Sequence, residues 1–126
     1  MATKMEQIKE TIRTLKENLE GEIFGVAVGS MDGRIIESLS DSSKVNMTRV
    51  VASVALMLKS AKKVERQTNM GKPENMLIGF KDGQIIVESI NDKVFLAVIS
   101  KKDANIGFIE LEVDEAINSL KEILGG

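Results

Sequence analysis

The acid–base chemistry open to this sequence rests on carboxylates, amines and hydroxyls, because its 126 residues include no histidine and no cysteine. That absence removes the Ser-His and Cys-His nucleophile systems and the imidazole proton relay. It also removes the usual ligand sets of zinc and iron–sulfur centres, and any disulfide framework. What remains is a set of carboxylates. Asp32 and Asp82 each precede a glycine between apolar runs, where aspartate serves turn geometry. Glu37 and Glu88 occupy matching places after those turns, and alternating strand exposure accounts for both. The run from Asp103 through Asn105 and Gly107 to Asp114 has the outline of a calcium loop. Its sixth place is not glycine and Leu111 fills the ninth, so capping of a helix by Asp103 or Asn105 is the better account. Gly29-Ser-Met-Asp-Gly-Arg34 lacks the Gly-Lys-Ser/Thr ending of a phosphate loop and leads into a strand. No catalytic residue, metal ligand or cofactor is therefore expected.

Lys59, Lys62, Lys63 and Arg66 cluster at the end of the second helix. Cations at the end of a helix complement its dipole, and they would also suit an acidic partner. Overall, 17 basic residues face 19 acidic ones, for a net charge of −2, which gives no positive field for nucleic acid. Four phenylalanines, with no tyrosine or tryptophan, leave little for base stacking. The N-terminus, Met1-Ala-Thr-Lys-Met-Glu6, has no apolar signal core. The longest apolar stretch, from Val50 to Leu58 and including Ser53, falls far short of the roughly 20 residues that span a bilayer. The expectation is a cytoplasmic chain that neither binds nucleic acid nor inserts directly into a membrane. Its length fits one domain over residues 1–126, resting on its core alone.

The elements that position these groups follow from periodicity. Met5, Ile8, Ile12, Leu15 and Leu19 make one apolar stripe on an amphipathic helix that Gly21 stops. Two apolar runs then flank Asp32-Gly33, predicting a hairpin, since both turn residues can take positive φ. In the first run, Phe24, Val26 and Val28 share one face. Gly25, Ala27 and Gly29 share the other, where a helix can approach closely. Asn46, after a polar connector, caps a second helix that runs to about Thr68. Past a breaker segment around Pro73, the pattern repeats: Met76 to Phe80, Asp82-Gly83, then Gln84 to Ile90. Val94 to Ile99 is apolar on both faces and reads as a central strand. Ile106, Ile109, Val113, Ile117, Leu120 and Leu124 mark a final helix, with Gly107 expected at a close packing contact.

Placed at about 100° per residue, the second helix turns Val51, Val54, Leu58 and Ala61 to the core, with Val50, Met57 and Val64 widening that side. Arg49, Ser53, Ser60, Lys63 and Gln67 lie opposite, yet Ala52 and Leu56 fall among them. One core cannot cover so much apolar surface, which points to a partner or to a covering loop. The fold expected is α/β, in the order αββαβββα. It is a three-layer sandwich with a five-stranded antiparallel sheet between one long helix and two terminal helices.

This order, the two Asp-Gly hairpins, the alanine-rich second helix, and Val94-Phe-Leu-Ala-Val-Ile99 leading into Asp103-Ala-Asn-Ile-Gly107 resemble the Roadblock family over essentially the whole chain. That family includes roadblock-type dynein light chains, subunits of lysosomal GTPase scaffolds and MglB-type regulators of a bacterial Ras-like GTPase. Within it, the chain looks like a minimal prokaryotic single-domain member. The resemblance implies a homodimer paired through the second helix and the strand after it. On the helix this involves Val50, Val51, Ala52, Val54, Ala55, Met57, Leu58 and Ala61. On the strand it involves Met76, Leu77, Ile78, Gly79 and Phe80. It also implies a platform for a Ras-like small GTPase, formed by Arg49, Ser53, Leu56, Ser60 and Lys63. No cofactor and no catalytic arginine is implied. A structural adaptor without GTPase contact and a small-ligand sensor are the alternatives.

Overall fold

Helix α1 (Lys4–Asn18) opens on a capping box, in which Thr3 Oγ1 accepts from the Glu6 N–H at 3.1 Å and the Glu6 carboxylate accepts from Thr3. The structure, a computed structural model, describes residues 1–41 and 45–126. Ile8, Ile12 and Leu15 are buried, as is Leu19 at the C-cap, whereas Met5 is exposed, so the stripe begins one turn later than its periodicity implied. Gly21, with φ +83°, lets the chain turn into the sheet.

Five strands follow: β1 (Ile23–Ser30), β2 (Ile35–Ser40), β3 (Asn75–Phe80), β4 (Gly83–Ser89) and β5 (Val94–Lys101). They pair antiparallel in the order β2-β1-β5-β4-β3, with β1 and β5 inside and β2 and β3 at the edges. Helix α2 (Met47–Thr68) covers one face; α1 and α3 (Ile106–Leu124) cover the other. This is the expected αββαβββα three-layer sandwich. Asn46 caps α2, its side-chain oxygen accepting from the Arg49 N–H at 3.1 Å. Residues 42–44 of the preceding polar connector lie outside the described residues. Asn105, not Asp103, caps α3, and Gly125 ends it.

Alternation along the strands sorts the core into two layers. Val26, Val28, Ile86, Leu96 and Val98 point to α1 and α3, while Ala27, Val87, Phe95 and Ala97 point to α2. Gly25 and Gly29 lie on the α2 side, where the helix approaches closely, as the small-residue face implied. Phe24 departs from its expected face. The β1–β5 register slips between Ile23 and Gly25, so Ile23 takes the place beside Val26 in the α1/α3 core. The Phe24 ring instead lies 5.7 Å from Lys101 Nζ.

The hairpin turns also differ from expectation. Only Gly33 takes positive φ in the first turn, and Asp32 does not. The N–H of Gly33 donates to Ser30 O at 2.9 Å, and a register shift between Val28 and Gly29 absorbs the longer loop. In the second, Phe80 pairs with Gly83, leaving Lys81-Asp82 as the loop with no positive φ. Gly83 is needed for space: a Cβ there would lie 2.6 Å from the Ser100 carbonyl oxygen. Gly107 has no close packing contact, its added Cβ meeting only the capping oxygen of Asn105 at 3.6 Å. Lys16 is buried on α1, and its ammonium donates to Asp41 Oδ1 at 2.7 Å, tying that helix to the end of β2.

A candidate dimer and partner surface

Helix α2 divides by exposure into three sides. Met47, Val51, Val54, Ala55 and Leu58 are buried against the sheet of their own chain. Four of these (Val51, Val54, Ala55 and Leu58) were expected at a dimer interface; their side chains have almost no surface left for a second subunit. Val50, Met57 and Ala61 are half-buried along one flank, and Val50 and Met57 rim the α2-side core together with Met76, Ile85 and Ile99. Val64, expected to widen the core, is 50% exposed, and Leu58 is the last fully buried residue of the helix. Ala52 is exposed beside the first hairpin, its Cα 3.6 Å from where a Gly33 Cβ would sit. The third side carries Arg49, Ser53, Leu56, Ser60 and Lys63, all exposed, with Leu56 at 65%.

Strand β3 supplies the other half of the surface. Its register with β4 turns Met76, Ile78 and Phe80 to the α2 face and Leu77 to the α3 face. Met76 and Ile78 are half-buried, Gly79 is exposed, and Leu77 and Phe80 are 52% and 58% exposed. The outer edge of β3 has no partner strand among the described residues. An edge this apolar is a template for another strand. Ile85 and Ile99 were not singled out from the sequence. Their half-exposure depends on α2 lying over β1 and β2 and leaving the β4–β3 end of that face open. The Ile85-Ile86-Val87 run shows no alternation that would reveal it.

The acid–base candidates stay apart. Glu37 on β2 and Glu88 on β4 are separated by β1 and β5, so they form no pair. Asp32 and Asp82 sit in the two turns, Asp32 held low by the Ser30 hydroxyl and the Arg34 charge. Lys72 and Asp92 pair at 2.9 Å and fasten the segment before β3 to the β4–β5 turn. Among the described residues, no group of three or more carboxylates could hold a metal ion. No helix among them is long and apolar enough to cross a membrane.

Glu88 is the half-buried carboxylate with a raised pKa, from burial first, then the Asp114 carboxylate, opposed by Lys121 and reinforced by Glu74 and Glu110. Folding therefore disfavours its charged form. That cost is fully present above the folded-state value and vanishes as pH falls below the ordinary value of 4.5. Glu88→Gln is expected to melt higher than the native chain at neutral pH. The two melting temperatures should converge as pH falls towards 4.5.

Residues 5–100 match the profile of the Roadblock/LC7 domain. Among curated protein sequences none matches the chain. Solved structures do. Myxococcus xanthus MglB superposes with a TM-score of 0.88 at 15% identity, covering 98% of this chain and 91% of that one. The gliding protein MglB of Thermus thermophilus gives 0.82 at 12% identity, with 98% and 92% covered. A Roadblock/LC7 domain from Streptomyces avermitilis gives 0.80 at 12% identity, with 94% and 98% covered. The helix–hairpin–helix–three-strand–helix order, the open β3 edge and the profile match together place this chain in the Roadblock/LC7 family.

Proposed function

We propose that the chain acts as a non-enzymatic homodimer whose α2 helices form a platform for a Ras-like small GTPase. The observation that carries the dimer is the set of half-buried and exposed apolar side chains of Val50, Met57, Met76, Ile78 and Phe80, on the α2 face of the sheet beside the open edge of β3. Two copies joined edge to edge through β3 would satisfy its free backbone groups and cover that surface. Val51, Val54, Ala55 and Leu58 contribute by seating the helix, and Ala61, Leu77 and Gly79 lie at the margin of the contact. Fold likeness to MglB supports the family reading, and the GTPase partner comes from family analogy. Arg49, Ser53, Leu56, Ser60 and Lys63 remain free to meet it. None of the four arginines is assigned a catalytic part.

Light scattering is expected to give twice the 13.8 kDa chain mass, and Ile78→Asp with Phe80→Asp is expected to give a folded monomer. A native chain that stays monomeric at micromolar concentration would overturn the dimer. For the partner, small GTPases encoded in the same genome are titrated in both nucleotide states, and GTP turnover is followed. Binding stronger than tens of micromolar (about 6 kcal/mol) is expected for at least one state. Its absence for all of them, with a non-GTPase subunit bound to the same α2 residues, would make the chain a structural adaptor.

A further inference from the structure

We infer that α2 of one molecule seats in the groove between α1 and α3 of another, so that the chain stacks front to back. The groove has a volume of about 780 Å³. Its α1 wall is the row Gln7, Thr11, Thr14 and Asn18; its α3 wall is the row Glu112, Glu115, Ser119 and Glu122. Both rows repeat at three- and four-residue spacings, as helical ridges do. Leu15, Ala116 and Ile123 give it an apolar floor. Five carboxylates and no lysine or arginine line it. Glu10 is bound to Arg13 and Glu112 accepts from Asn18 at 3.0 Å, while Glu115 and Glu122 have no ion-pair or hydrogen-bond partner among the described residues.

The matching ridge is on the outer side of α2. Ala52, Leu56, Lys59, Lys63 and Arg66 recur at spacings of 4, 3, 4 and 3, all exposed, with no carboxylate in the row. Leu56 leads it with an apolar tip for the groove floor, and three cations follow for Glu112, Glu115 and Glu122 on the α3 wall. The asymmetry extends to whole elements: α2 carries five cations and one carboxylate, whereas α3 carries five carboxylates and one cation. These two helices cover opposite faces of the sheet; α1, beside α3, adds four cations and three carboxylates, so the helices of the back carry eight carboxylates against five cations, opposite a basic α2. The ridge lies roughly 140° around α2 from Met57, clear of the proposed dimer contact. A front-to-back contact is heterologous, so it propagates instead of closing at two copies. Because Leu56 and Lys63 also belong to the proposed platform, stacking would occlude a partner; this regulatory consequence alone rests on the function proposed above.

Sedimentation velocity on the full chain tests it. At low ionic strength, species larger than the smallest stable unit are expected to grow with protein concentration and to dissolve as salt shortens the Debye length. Glu112→Lys with Glu115→Lys, and separately Lys59→Glu with Lys63→Glu, are expected to weaken this association by about tenfold or more. Mixing the two variants restores a complex, since the native ridge of the first then meets the native groove of the second, while the reversed ridge and reversed groove are also opposite in charge. A native chain of one size at every concentration and salt, or reversed variants that assemble as well as the native chain, would overturn the stacking. The size of the smallest unit, 13.8 kDa or twice that, reports separately on the dimer.

Discussion

Leu58→Asp is expected to abolish folding, whereas Leu56→Asp, two residues earlier on the same helix, leaves the monomer folded. Leu58 is 2% exposed and packs with Val54, Phe95 and Ala97 in the α2-side core; Leu56 is 65% exposed. Removing the leucine at 58 costs about 2–5 kcal/mol in lost burial and cavity formation. The carboxylate left in its place has no cation inside that core, and it must either stay charged at a cost of several kcal/mol or take up a proton. Together these reach the roughly 5–15 kcal/mol that separates folded from unfolded states of a whole domain. At 56 the change stays within about 0.5 kcal/mol, as for a surface substitution. Circular dichroism and thermal melting of the two variants check it. A folded Leu58→Asp chain would mean that α2 is not anchored on the sheet through this side. Leu56→Asp has its effect elsewhere, removing the apolar tip of the α2 ridge and weakening association with other molecules.

Much of this arrangement is legible in the sequence because each element repeats at its own period. The 3-and-4 spacing from Ile8 to Leu19, and again from Ile109 to Leu120, identifies two helices that bury one stripe each. The glycine and alanine face of β1 marks where α2 would lie closest. Three features were not legible, each for a stated reason. The β1–β5 register slip moves Phe24 off its face, and a bulge leaves no mark in a pattern of alternating apolar residues. The conformation of an Asp-Gly turn depends on loop length, so Gly83 opens a strand while Gly33 turns a corner. The split of α2 into buried, half-buried and free apolar residues depends on how far it reaches across the sheet, which periodicity cannot give. Periodicity already turned Val51, Val54 and Leu58 to the core, and the split adds Ala55 to them and leaves Ala61 half-buried on the flank. The split also leaves Leu56 in the open, at the head of the row of cations from Lys59 to Arg66.

Gly29→Val is expected to be the most damaging change that alters neither charge nor polarity. A Cβ at this position would lie 2.6 Å from Val51 Cγ1 and 2.8 Å from Phe95 Cζ, and both side chains are fully buried. Gly29 does not have positive φ, so the glycine is required for room and not for backbone freedom. Neither neighbour can yield easily: Val51 is branched at Cβ and held between the helix and β1, and Phe95 fills the centre of the same core. Overpacking of this kind costs about 1–3 kcal/mol, and three added carbons place the expected loss at the upper end or above. In a domain of this size, each kcal/mol lowers the melting temperature by about 3–6 °C. Gly79→Ala is the control for the core: its Cβ would meet nothing of its own chain within 4 Å, so the stability of the monomer fold should be nearly unchanged. A Gly29→Val chain that melted with the native one would show that α2 does not rest on β1 as closely as these distances require. Where the variant does fold, α2 must lift from the sheet around Val51. That displacement would carry Met57 away from Met76 and Ile85, widening the open end of the sheet on which a second subunit is proposed to close.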